Sequence, residues 1–237
     1  MACEIVAELG NAANGDQNRM LRLIDAAKAC GADAVKLQCY DADELVALRG
    51  NGPAPQPWGG QGYSMRALYE KAMTPWAWFP VIAVHCEKIG IPWFSSCFGE
   101  RSLAYLEANG CPRYKISALE FGNATLRNMV EATGKPVIRS MPNDVAAPHY
   151  HIALYCPPGY PQSRLDLWNL RNGYDGFSYH GTDWRWAPIA VAVGARMLEV
   201  HFQLDAEPSE LESHVSLGET ALRSLVQSVR DAEVLLG

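Results

Sequence analysis

"MLEVHFQLD", residues 197–205, opens as a strand, because Met197, Leu198 and Val200 favour a pleated backbone. Glu199 and His201 stand two apart and so project from one face, the histidine close to where the strand runs out. A helix-period stretch, "DWRWAPIAVAVGA" (183–195), precedes this strand, and another, "LGETALRSLVQSVRDAEVLLG" (217–237), follows it. The same alternation repeats back to the N-terminus. "EIVAE" (4–8) leads into "NRMLRLIDAAKACG" (18–31), whose apolar residues recur at helical spacing up to a stop at Gly31. "DAVKLQ" (33–38), "IPWFSS" (91–96), "RYKIS" (113–117), "KPVIRS" (135–140), "HIALYC" (151–156) and "GFSYH" (176–180) read as further strands. Helical patterns at 75–90, 101–110 and 123–134 separate several of them. The run at 196–202 brings the count to eight strands, most of them followed by a helix.

That order predicts an α/β chain with a parallel sheet, and eight units predict a (β/α)8 TIM barrel filling residues 1–237 as one domain. A doubly wound sheet is the alternative. Two joints are irregular. "GNGPAPQPWGGQGY" (50–63) is too rich in Gly and Pro to be helical. "MPNDVAAPHY" (141–150) is too short for a full crossover helix, so the barrel is expected to be shortened between strands 5 and 6.

Composition removes several function classes. A net charge of −6 gives no basic footprint for nucleic acid. No run approaches the ~18 apolar residues that a membrane span needs. The N-terminus "MACEIVAELG" lacks a basic leader region and already reads as a strand. Seven cysteines without CxxC spacing suggest reduced thiols, and together these features point to a cytoplasmic protein.

In a TIM barrel the C-terminal strand ends converge on the active site. Here they carry Glu8, Lys36 and Gln38, Ser95 and Ser96, Lys115 and Ser117 with Glu120 just beyond, Ser140, Tyr160 after a turn, His180 and His201. A lysine inside an apolar run needs an anion. For Lys36 and Lys115 that anion is either Glu8 or Glu120 in a salt bridge, or a phosphate cradled with the Ser96 and Ser140 hydroxyls. His180 and His201 end neighbouring strands, about 5 Å apart. Two imidazoles there can share a divalent ion that keeps open positions for substrate oxygens. Zn, Mn and Mg are not separable on two nitrogen ligands.

The same residues carry a resemblance to the N-acetylneuraminate (sialic acid) synthase family. "IVAELGNAANGD" (5–16) resembles that family's AEIG-x-NHNGD, and "LIDAAKACGADAVKLQCY" (23–40) its DAAK-x-AGADAVKFQTY. "YKISALEFGNATL" (114–126) resembles YKI-x-SGE/D-x-x-N-x-x-L, and "TGKPVIRSM" (133–141) resembles TGKPVILSTG. "YCPPGYP" (155–161), "GFSYHGTD" (176–183) and "GARMLEVHFQLD" (194–205) are similar to HC-x-x-x-YP, GLSDHT and GA-x-x-IEKHFTLD. The resemblance implies condensation of phosphoenolpyruvate with the open-chain aldehyde of an aldose or N-acylated amino sugar, giving a 2-keto sugar acid and phosphate. It implies a divalent metal, Mn or Mg before Zn, on His180 and His201. It implies phosphoenolpyruvate contacts from Lys36, Gln38, Ser96, Lys115 and Ser140, with Tyr160 also facing substrate. It implies proton transfer and water activation by Glu8 and Glu120, with Glu212 near the sugar.

The departures are as informative. Ala12 and Ala13 replace a polar pair, Ala118 replaces the SGE serine, and Pro158 replaces an asparagine. Tyr179 stands where an aspartate precedes the histidine, and "SMP" replaces STG. The sequence ends after the last helix, so the family's C-terminal antifreeze-like domain is expected to be lacking, and homo-oligomerisation is left open. The buried charges survive while the peripheral contacts thin. Unpaired buried charges destabilise a fold, so a decayed enzyme would lose them first. An active enzyme of altered or smaller substrate is therefore favoured over a silent barrel acting as a binding protein, or a metal-assisted lyase or hydrolase. The tryptophans at 76, 78, 184 and 186 are expected to pack helices on the barrel, while Trp58, on the loop at the active-site face, is left open between packing and covering substrate. His85, His149 and His151 are placed away from the chemistry, and His214 is left open.

Overall fold

The architecture comes from a computed structural model, which describes residues 2–142, 152–162, 165–167, 170 and 173–237. Strand β1 (Glu4–Glu8) runs up the barrel axis and enters a loop in which Asp16 caps helix α1 (Gln17–Ala29), accepting from the Asn18 N–H at 2.8 Å. The buried stripe Met20, Leu23, Ile24 and Ala27 lays α1 against the sheet, and Gly31, at φ 94°, turns the chain back. Strand β2 (Ala34–Cys39) follows, then α2 (Ala42–Arg49), capped by Asp41, α3 (Met65–Ala72), capped by Ser64, and α4 (Phe79–Ile89). Helices α2 and α3 bracket the Gly/Pro loop and go beyond the sequence expectation. The loop itself holds one 3-10 turn, Gly59–Gln61. Next come β3 (Trp93–Cys97), α5 (Glu100–Ala108), β4 (Tyr114–Ile116), α6 (Ala124–Glu131), β5 (Val137–Met141), β6 (Ile152–Tyr155) and β7 (Gly176–Tyr179). The chain then forms α7 (Ala187–Ala192), β8 (Met197–Phe202), a short β9 (Ser216–Leu217) and α8 (Glu219–Leu236).

All neighbouring strands pair in parallel, and β1 pairs with β8 to close the ring. This is the (β/α)8 barrel that eight alternating units require. The expected shortening between β5 and β6, with His149 and His151, falls outside the described residues. The strand β9, parallel to β8 through His201↔Ser216 and Phe202↔Leu217, has no period-2 signal long enough to read in the sequence. Among the described residues no helix is long and apolar enough to cross a membrane. All seven cysteines are free thiols, and six of them are buried.

Register decides what meets at the mouth. Glu8 lies beside both Lys36 and His201, Gln38 beside Ser96, and Ser96 beside Lys115. One residue beyond Ile116↔Arg139 sets Ser117 beside Ser140, and one beyond Tyr179↔Val200 sets His180 beside His201. Residues in register on parallel strands share a face, so these side chains form an inward ring. The tryptophans behave as expected. Trp186 is buried against Phe177 and Tyr179, Trp78 and Trp184 pack on the core, and Trp76 donates to the Tyr40 carbonyl at 2.9 Å.

Candidate active site

A cavity of about 550 Å³ opens at the C-terminal end of the barrel, within the range of small-molecule sites. On one wall, Lys36 pairs with Glu8 and donates to the Ser96 Oγ at 3.1 Å, while Gln38 donates to the Glu8 Oε1 at 3.0 Å. Burial opposes the Lys36 charge, but the carboxylates of Glu199 and Glu8 outweigh it and hold the ammonium above its ordinary range. Lys115 donates to both oxygens of Glu199 at 2.8 Å, and Ser178 donates to Glu199 as well. Burial resists ionisation of Glu199, yet Lys115 and Lys36 keep it an anion, well below the usual carboxylate range.

The sequence offered Glu8 or Glu120 as counterions. Lys36 takes Glu8, but Lys115 takes Glu199. Glu199 sits one layer below His201 on the same face of β8, where the long Lys115 stem reaches it across the barrel. Glu120 is held by Arg49 and by Asn123 Nδ2, the latter at 2.8 Å. Arg49, from the unforeseen helix α2, thus reaches the cavity too. Of the adjacent serines, only Ser96 faces inward. Ser95 bonds the Leu37 and Ser96 carbonyls on the other face, as a period of two demands. The Ser140 and Ser117 hydroxyls are buried with no hydrogen-bond partner among the described residues. An orphaned hydroxyl costs about 1–3 kcal/mol, so both are poised for a ligand oxygen. Ser117 lies one residue before Ala118, where the family motif has its serine.

The opposite wall is aromatic. The His180 and His201 ring centroids lie 4.9 Å apart, with the Tyr160 ring 5.0 Å from His180. Tyr160 donates to Glu212, and Glu212 Oε2 lies 3.2 Å from His201 Nδ1. Burial works against the imidazolium of His201 and the carboxylate of Glu212, but each charge stabilises the other, raising the first and lowering the second. Burial, reinforced by His201, pushes His180 down to about 3, so that imidazole is neutral. Trp58 donates to the Leu211 carbonyl at 2.9 Å and stands 5.5 Å from Tyr160, which brings the Gly/Pro loop over the mouth. His214 packs edge-on against Trp58 and Tyr160, while His85 bonds Asp25 on the outside. Gly10, at φ 34°, leaves the cavity open: a Cβ there would come within 2.9 Å of Glu8 Oε1 and 3.0 Å of Gln38 Nε2.

Nine of the eleven expected site residues line one cavity; Glu8 and Glu120 do not line it and are paired instead with cavity-lining Lys36 and Arg49. A model of the NeuB family matches residues 23–143 and 166–237. Pseudaminic acid synthase of Campylobacter jejuni is 30% identical over 257 residues, covering 98% of this chain and 74% of that protein. The chain belongs to the NeuB family. The N,N'-diacetyllegionaminic acid synthase of Legionella pneumophila is also 30% identical, over all of this chain and 74% of its own length. N-acetylneuraminic acid synthetase of Leptospira borgpetersenii superposes with a TM-score of 0.84 at 24% identity, covering 100% of this chain and 86% of the other, and so shares its fold. Membership makes this barrel a sugar-acid-synthase-like enzyme.

The divalent ion expected on the histidine pair fits only half of the donor set. Among the described residues no group of three or more His, Cys, Asp or Glu side chains is arranged to hold a metal. His201, with Glu212 behind its Nδ1, has the hydrogen bonding of a ligand. His180 does not. Its Nδ1 faces the amide nitrogen of Gln162 at 3.1 Å, and Tyr179, in the aspartate's place, points outward against Trp186.

Proposed function

We propose that this barrel condenses phosphoenolpyruvate with the aldehyde of an aldose or N-acylated amino sugar, releasing phosphate and a 2-keto sugar acid. The observation that carries this reading is the lysine wall. Two buried ammonium groups flank Ser96 and stand beside two hydroxyls, Ser117 and Ser140, that have no partner among the described residues, which is a cradle for a phosphorylated carboxylic acid. The names of the relatives agree, each being a synthase of a sugar-derived acid.

In this reading Lys36, Lys115, Gln38 and the three serines hold the phosphoryl and carboxylate groups, and Tyr160 and Glu212 face the sugar. The C3 carbon of phosphoenolpyruvate forms the new bond to the aldehyde carbon. Water adds to C2, the bond from C2 to the phosphate oxygen breaks, and C2 becomes the ketone. One proton of that water ends on the former aldehyde oxygen and the other on phosphate. Glu8 and Glu120, both buried hydrogen-bond acceptors behind cavity-lining Lys36 and Arg49, are the proton carriers. His201 would be the residue to hold a divalent ion, which would supply electrophilic assistance to the acceptor.

The test is to incubate the protein with phosphoenolpyruvate, Mn²⁺ and a panel of aldoses and N-acylated hexosamines, and to assay phosphate. Acceptor-dependent release supports the reading. No release with any acceptor, or a release that Lys115→Ala leaves unchanged, rejects it.

A further inference from the structure

The pair His180 and His201 looks symmetric in the sequence and is not symmetric in its hydrogen bonds. Gln162, 7% exposed, is wired to His180 through its backbone and both ends of its amide. Its N–H donates to the His180 carbonyl at 2.7 Å, and its Oε1 accepts the His180 N–H at 2.9 Å. Its Nε2 donates to the Pro157 carbonyl at 2.7 Å. The Pro157 carbonyl can only accept and the His180 N–H can only donate, so the amide has one orientation. Reversing it would set oxygen against oxygen and N–H against N–H. The second Nε2 hydrogen then has His180 Nδ1 at 3.1 Å and Cys156 Sγ at 3.9 Å, and the nearer, more basic imidazole nitrogen takes it.

We infer that Gln162 fixes His180 as the tautomer protonated on Nε2, so that His180 offers the pocket a hydrogen-bond donor instead of a metal-ligating lone pair. A neutral imidazole that accepts at Nδ1 carries its proton on Nε2. A metal-bound imidazole has the reverse arrangement, donating from its outer nitrogen to a carboxylate or carbonyl. His201 has that arrangement through Glu212, and His180 has its opposite. The two imidazoles therefore differ in what backs them, a carboxylate behind His201 Nδ1 and an amide N–H behind His180 Nδ1. With the condensation reading, on which this step rests, the His180 Nε2–H hydrogen-bonds the aldehyde oxygen and takes over part of the polarisation. Gln162 is a positioning residue that acts through His180.

The deciding experiment is ¹⁵N NMR of the histidine-labelled full chain, which reports each ring nitrogen's protonation and needs no substrate, so failure of the condensation reading leaves it interpretable. The expected spectrum shows His180 protonated on Nε2, with Gln162→Glu moving that proton to Nδ1. A Mn²⁺ titration followed by electron paramagnetic resonance is the second readout. The wild-type affinity should change less than twofold in His180→Ala, whereas Gln162→Glu should tighten Mn²⁺ about tenfold, a gain lost when His180→Ala is added. A wild-type His180 protonated on Nδ1, or a wild-type Mn²⁺ site weakened tenfold by His180→Ala, would overturn the assignment.

Discussion

On one wall of the cavity, Lys36, Ser96, Lys115, Ser117 and Ser140 ride on or directly extend strands, and barrel register fixes their spacing. On the other wall, Tyr160, Gln162 and Glu212 come from the connections after β6 and β8, and only the two histidines belong to strand ends. The lysine wall is rigid and internally charge-compensated, with Glu8 against Lys36 and Glu199 against Lys115. The imidazole wall is set by side-chain networks, so single substitutions can reverse its hydrogen-bonding sense. A wall set by strand register facing a wall set by side-chain networks suits a family whose relatives are named for different acids.

The sharpest way to break this contrast is at the buried pairs. Lys115→Ala leaves Glu199 uncompensated and should cost about 3–5 kcal/mol in denaturant unfolding. Lys115→Met with Glu199→Leu should recover most of that stability while leaving the enzyme inactive, which separates the structural role of the pair from its chemical one. Gly10→Ala comes next. Its methyl crowds the ends of Glu8 and Gln38 together, and kcat/KM should fall, by less than the roughly 100-fold that a 1 Å misplacement costs.

How legible these walls were in the sequence follows from the same difference. Strand order and period-2 facing made Lys36, Ser96, Lys115, Ser140, His180 and His201 readable, because a strand converts spacing into position. The partners were not readable. Glu199 as the counterion of Lys115 depends on reach across the barrel, and Arg49 depends on a helix whose apolar pattern is too weak to identify. Gln162 had no signal beyond lying just after the YP motif. Ser117 is legible as a strand-end residue but carries no role in the sequence reading, although it shares the face of Lys115 two residues on and precedes an alanine where the family motif has serine.

Two smaller effects sharpen the comparison. Ser117→Ala should raise the KM for phosphoenolpyruvate about tenfold, the loss of one hydrogen bond to a charged group, and leave the melting temperature unchanged or higher because an orphaned hydroxyl is removed. Arg49→Met should lower kcat/KM for the acceptor about fivefold through Glu120, with the phosphoenolpyruvate KM unmoved, as for a partly exposed ion pair. If Arg49→Met changed the phosphoenolpyruvate KM instead, the division of the cavity into two walls would fail.

The most direct measurement of the central claim is ³¹P NMR of the full chain with phosphoenolpyruvate, Mn²⁺ and an N-acylated hexosamine, run beside a sample without the sugar. Conversion of the phosphoenolpyruvate resonance to inorganic phosphate only when the aldehyde is present, and not with Lys36→Met, is the predicted result. Conversion at the same rate without the sugar, or none under any condition, would contradict the condensation.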